Sequence, residues 1–134
     1  MSDVLENKVQ SIHRCIERAR EEYLLAGGNF AHDYSHQDSA ILNITRACEM
    51  SIDLANHVIK REKLGFPTSS AESFDLLTRK GIIAPALEEK LKNMVGFRNT
   101  AIHEYQKIKI EIVEAIIKTG LDDLVVFTDC LMNR

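Results

Sequence analysis

With 134 residues, 45% of them hydrophobic and 28% charged, the chain has the size and balance of one ordinary globular domain, 1–134. It has no apolar run of about 18 residues of the kind that spans a membrane. The 17 basic and 20 acidic residues give a formal charge of −3, which excludes a protein that coats nucleic acid through bulk charge but leaves room for a local basic groove.

The amino-terminal MSDVLENKVQ is acidic and polar, with no basic segment leading into an apolar stretch, so no secretory signal is expected and the cytoplasm is the default compartment. Leu5, Val9, Ile12, Ile16, Ala19 and Tyr23 recur at four- and three-residue steps, the stripe of a helix that buries one side. AGGNFAHDY (26–34) ends it, because Gly27 and Gly28 can take the positive φ angles that close a helix. Ser35 and Asp38 match a capping pattern and predict a long helix with Ile41, Ile44, Cys48, Ile52, Ala55 and Ile59 on one face. It runs out at KREKLGFP, where Gly65 and Pro67 disfavour further helix.

Ser69 and Glu72 repeat the capping pattern before a short helix through Phe74 and Leu77, which Gly81 closes. Pro85 suits the first turn of the next helix, whose stripe is Leu87, Leu91 and Met94. Beyond GFRNTAIHEYQ (96–106), Ile108, Ile112, Ala115 and Ile116 begin a final helix, interrupted at Gly120 before Leu124, Val125, Phe127 and Leu131. No period-two run is flanked by turn dipeptides; LVVF (124–127) comes nearest. The prediction is an all-α fold, an antiparallel four-helix-type bundle with an additional short helix. Cys15, Cys48 and Cys130 are widely spaced within helical patterns and are expected to be reduced. With no C-x-x-C or H-x3-H pair, neither a metal site nor a cofactor is expected.

Arg98 to Tyr105 concentrates the versatile chemistry. On an unbroken helix turning about 100° per residue, Arg98 and Tyr105 nearly eclipse, whereas His103 lies about 140° round from Arg98. Asn99, Thr100 and Ile102 are middling helix formers, so the expectation is a bend between Arg98 and His103, a site drawn from two chains, or both. Histidine moves protons near neutral pH and arginine presents fixed donors to phosphate oxygens. Together they suit attack of a ribose 2'-hydroxyl on the adjacent phosphodiester, with charge on phosphorus stabilised by the arginine; only RNA has that hydroxyl. Base and acid are both wanted, so a symmetric homodimer that brings two motifs face to face would supply the pair. The structural alternative is a helix-end Arg98, a satisfied His103 and a half-buried Tyr105 anchor.

Arg98-Asn99-Thr100-Ala101-Ile102-His103-Glu104-Tyr105 matches R-x4-H-x-Y and resembles the HEPN superfamily. QDSAILNITRACEMSIDLANHVI (37–59), LGFPTSSAESFDLL (64–77) and GIIAPALEEKLKNMVGFRNTAIHEYQ (81–106) are similar to its HepT toxin branch, from about residue 30 onward. The resemblance implies a dimerising helical bundle and a metal-independent endoribonuclease toxin. It also implies a cognate minimal nucleotidyltransferase (MNT) antitoxin that transfers AMP to Tyr105. By motif position Arg98 holds phosphate, His103 handles protons, Asn99 orients substrate or a neighbouring side chain, and Tyr105 contacts RNA and is modified. An anionic group beside Arg98 and His103 would fill the cleft and repel phosphate. The competing expectation is a non-catalytic helical module that binds and regulates a nucleotidyltransferase. Glu104 is read as a solvent or interface residue, and Lys92, Lys107 and Lys109 as a solvated face near the cleft. His32 and His36 bracket a loop at its possible mouth, His13 and His57 read as surface or satisfied positions, and KREK (60–63) as a basic helix end with RNA contact as its lesser reading.

Overall fold

Side chains at three- and four-residue steps stack on one side of a helix, and the first such stripe folds as its spacing predicts. The computed structural model describes residues 3–134. Helix α1 (Asp3–Leu25) buries Leu5, Val9, Ile12, Ile16 and Ala19, and Tyr23 packs edge-on against Phe30 with ring centroids 5.0 Å apart. Gly27, at φ 61°, turns the chain into a 3-10 segment (Gly27–His32) that inserts Phe30 into the core.

The cap of the long helix α2 (Tyr34–Arg61) is Asp33, not Ser35: the Asp33 carboxylate accepts the backbone N–H of His36 at 3.1 Å. Burial of Phe30 ends the 3-10 turn at Asp33, so the helix begins earlier than the Ser35–Asp38 pattern indicates. Ser35 and Asp38 therefore lie inside α2, with the Asp38 side chain free for another use. The buried face of α2 is wider than predicted. Leu54 and Val58 are fully buried, while Ile52 is only partly so, because α2 packs against α1, α3, α4 and α6.

Helix α3 (Ser70–Arg79) carries the predicted cap, with Ser69 Oγ accepting from Glu72 N–H at 3.1 Å, and Gly81 follows at φ 74°. Pro85 opens α4 (Pro85–His103), which buries Leu87, Leu91, Met94 and Phe97. The final stretch is α5 (Ile110–Ala115), a widened π turn (Ile116–Gly120) and α6 (Leu121–Met132). Gly120 keeps helical angles, φ −62° and ψ −35°, so the expected interruption is a change of winding and not a break. That change shifts the apolar register. Val113, Ile116 and Ile117 are buried, whereas Ile112 and Ala115, predicted in the stripe, are exposed. LVVF lies within α6, and Phe127 meets Phe74 edge-on at 5.6 Å.

Cross-helix pairs give the directions. Lys8 pairs with Asp53 and Glu22 with His36, Arg20 meets Asp122 at 2.6 Å and His13 meets Thr128 at 2.9 Å, so α1 runs antiparallel to α2 and to α6. Arg98 lies beside Glu49 and Tyr105 bonds Asp38, so α4 runs antiparallel to α2. The fold is all-α, with one continuous apolar cluster that all six α-helices enter. Among the described residues no strand occurs, and no helix is long and apolar enough to cross a membrane.

Candidate functional site

Helix α4 is continuous to His103, so the expected bend between Arg98 and His103 does not occur. The helix formers upstream, Leu87 to Lys92, and burial of Met94 and Phe97 outweigh the middling propensities of Asn99, Thr100 and Ile102. The break comes one residue later. Glu104 takes φ −142° and ψ 52°, and Tyr105–Lys107 form a 3-10 turn.

On the continuous helix Arg98 and His103 stand about 140° apart around the axis, with Asn99 between them. Arg98 Nη1 donates to Asn99 Oδ1 at 2.8 Å. Asn99 lies one turn before His103, about 40° away around the axis, so the amide draws the guanidinium round the helix towards the imidazole. On its other side Arg98 Nε lies 3.9 Å from Glu49 Oε1, beyond hydrogen-bond reach, and this buried Nε has no acceptor. The guanidinium is thus incompletely satisfied within this chain. His103 is exposed, and its ring hydrogen-bonds no other described residue. Beneath the site, burial pushes the Cys48 thiol up to about 12 against the pull of Arg98, which keeps it protonated.

Tyr105 does not share Arg98's line, because the helix ends before it. It is 43% exposed, and its hydroxyl donates to the Asp38 carboxylate on α2. Burial first, and then the Asp38 carboxylate, push the phenol up to about 12. Asp38 and Glu49 stand eleven residues apart on α2, about 16 Å along its axis. Arg98 and the Tyr105 hydroxyl therefore meet α2 at well-separated points.

The lesser candidates mostly have other employment. Lys92 pairs with Glu88 and Lys107 with Glu104, each at 2.7 Å. Lys109, with Lys107, Gly96 and Thr100, lines a shallow pocket of about 290 Å³ between α4 and the start of α5. His36 pairs with Glu22, whose carboxylate holds the imidazole above its usual pKa, and His13 bonds Thr128. His32 is exposed, and His57 is half-buried with an unpartnered Nε2. In KREK, Arg61 pairs with Glu62 at 2.9 Å, and Lys60 and Lys63 line a cavity of about 830 Å³ at the start of α3, away from the motif.

Three residues that the sequence did not single out share a groove with Glu49. Arg14, Arg18 and Arg46 line a groove of about 330 Å³ that also includes Glu49, the neighbour of Arg98. None of the three forms an ion pair with a described residue. Their one sequence signal is the four-residue step from Arg14 to Arg18, off the apolar stripe of α1. Among the described residues no group of three or more His, Cys, Asp or Glu side chains converges as metal ligands do.

A helical bundle with an Arg–Asn–His constellation at one helix end belongs to no single activity by fold alone. Residues 12–131 match the family described as ribonuclease HepT-like. The mRNA nuclease HepT of Shewanella oneidensis is 42% identical over 131 residues, covering 98% of both chains. A solved structure of the tri-AMPylated Shewanella oneidensis HEPN toxin in complex with MNT antitoxin superposes with a TM-score of 0.94, at 41% identity over 100% of each chain. A crystal structure of a toxin–antitoxin pair with AMP-PNP gives 0.93 at 40% identity, over 99% of this chain and 100% of the matched one. The chain belongs to the HepT-like ribonuclease family.

Proposed function

We propose that this single domain is the metal-independent endoribonuclease toxin of a toxin–antitoxin pair, acting in the cytoplasm as a homodimer. The observation that carries the catalytic assignment is the Asn99 bridge, which turns the Arg98 guanidinium towards the face of α4 that bears His103.

In the proposed reaction the ribose 2'-oxygen bonds to the adjacent phosphorus and the bond from phosphorus to the 5'-oxygen breaks. His103 of one protomer takes the 2'-hydroxyl proton, and the partner protomer's copy of the motif returns a proton to the departing 5'-oxygen. Arg98 donates to the phosphoryl oxygens as charge gathers on them. Asn99 holds the guanidinium in place, and Tyr105 contacts RNA at the edge of the cleft. Arg14, Arg18 and Arg46 extend the cationic surface beyond Glu49 and hold the RNA backbone away from the cut. They supply a local basic groove despite the net charge of −3.

Control comes from a minimal nucleotidyltransferase antitoxin that transfers AMP to Tyr105. The relatives support this reading, since the Shewanella toxin is described as tri-AMPylated and bound to its MNT antitoxin. The test is induced expression of the wild type, Arg98→Ala and His103→Ala without antitoxin, followed by growth and total RNA. The wild type arrests growth and degrades RNA, and both variants do neither. Arrest and RNA loss that persist in both variants refute the assignment. Arrest without RNA loss in the wild type favours the non-catalytic regulatory module.

A further inference from the structure

The contact between Tyr105 and Asp38 joins residues 67 positions apart and ties the 3-10 turn after α4 to α2. Asp38 does not cap α2, since Asp33 does. It forms no ion pair with a described residue, and the Tyr105 hydroxyl is its one hydrogen-bond partner among them. Both side chains are exposed, so a second protein can reach them. The two supports are also unequal. Tyr105 rides on a three-residue 3-10 turn, whereas Asp38 projects from the helix that packs against most of the others. The carboxylate therefore sets where the phenolic oxygen stands.

We infer that Asp38 is a catalytic residue of AMP transfer, the proton acceptor for the Tyr105 hydroxyl, so that the acceptor half of that reaction is built into this chain. The inference rests on the reading of Tyr105 as the AMP acceptor. The phenol is held protonated well above neutral pH, so its proton must leave as it attacks. In the step, the phenolic oxygen bonds to the α-phosphorus of ATP and the proton passes to an Asp38 carboxylate oxygen. The bond between the α-phosphorus and the oxygen bridging to the β-phosphorus breaks, and pyrophosphate leaves with that electron pair. Asp38 then returns its proton to solvent. The esterified oxygen has no proton left to donate, and the charged non-bridging oxygens of the attached phosphodiester are repelled by the carboxylate, so the modified ring is released from α2.

The experiment uses the full chain carrying His103→Ala, to suppress toxicity, incubated with its nucleotidyltransferase and ATP, with AMP incorporation followed by intact mass. The parent gains AMP, and adding Tyr105→Phe abolishes the gain; a gain that persists refutes the Tyr105 reading itself. Adding Asp38→Asn, which keeps an acceptor oxygen but no basic carboxylate, slows incorporation at least about 100-fold. Co-elution with the nucleotidyltransferase and the helical melting curve stay unchanged in that variant. Asp38→Glu restores a large part of the rate. With Tyr105→Phe inactive, an Asp38→Asn rate within about threefold of the parent overturns the proposal, since RT ln 3 is below 1 kcal/mol, and assigns proton removal to the nucleotidyltransferase. No incorporation in the parent overturns both.

Discussion

Asn99→Ala slows RNA cleavage without removing a group that handles protons or phosphate. The side chain supplies one acceptor, Oδ1, 2.8 Å from Arg98 Nη1. Once it is gone, the charged group left beside the guanidinium is Glu49, 3.9 Å from Nε. A hydrogen bond to a charged donor is worth about 1.5–3 kcal/mol, and exposure of Asn99 lowers that to about 1–2 kcal/mol here. Since each 1.36 kcal/mol is tenfold in rate, kcat/KM falls about 5- to 30-fold. Arg98→Ala removes the charge itself and costs about 100- to 1,000-fold, the usual loss for one donor to a developing oxyanion. The assay is single-turnover cleavage of an end-labelled RNA by the wild type, both single variants and the double variant. If Asn99 acts through Arg98, the double variant is no slower than Arg98→Ala, which gives a coupling energy of about 1–2 kcal/mol. Additive losses would refute the reasoning, because they would mean that Asn99 contacts the substrate on its own account.

Replacing Arg14, Arg18 and Arg46 together by alanine weakens RNA binding and reduces the slope of log K against log salt by about 2, as expected for three lost contacts to a single strand; an unchanged slope removes them from the RNA path. Cleavage by the wild type proceeds at the same rate in excess EDTA, and a rate restored by Mg²⁺ after a loss in EDTA contradicts the metal-independent reading. The His36–Glu22 pair makes melting temperature depend on pH. The raised imidazole pKa gives stability that is full below its ordinary 6.5 and lost as pH rises through the folded value, while the lowered carboxyl pKa gives stability that is full above 4.5 and lost as pH falls through its folded value. Melting temperature, followed by circular dichroism, thus falls as the pH rises from 6.5 through the folded imidazole pKa, and His36→Gln flattens that fall.

The helical stripes of α1 and α4 were legible because each packs one narrow face inward. On α2 the same periodicity gave too narrow a face, since neighbours on several sides bury Leu54 and Val58 as well. The π turn misled the reading of α5 in another way: Ile116 is buried as predicted, but an extra residue per turn leaves Ile112 and Ala115 exposed and buries Val113 and Ile117 instead. At the site, residue type and spacing pointed to Arg98, Asn99, His103 and Tyr105, but not to how they are disposed. Local propensity argued for a bend before His103, whereas packing of Met94 and Phe97 carries the helix through and moves the break to Glu104. Asp38 looked like part of a cap because its spacing from Ser35 fits one, and only the Asp33 cap and the fold of α4 against α2 show it beside Tyr105. Arg14, Arg18 and Arg46 come from two helices, so nothing short of tertiary structure collects them in one groove with Glu49.

The proposed catalytic step is RNA cleavage by Arg98 and His103 together. Its most direct measurement is single-turnover cleavage by purified wild type, Arg98→Ala and His103→Ala, on protein of matched helicity and oligomeric state. Each variant loses at least about 100-fold in rate while still melting cooperatively. Cleavage by either variant within about threefold of the wild type, a difference below 1 kcal/mol in the barrier, contradicts it.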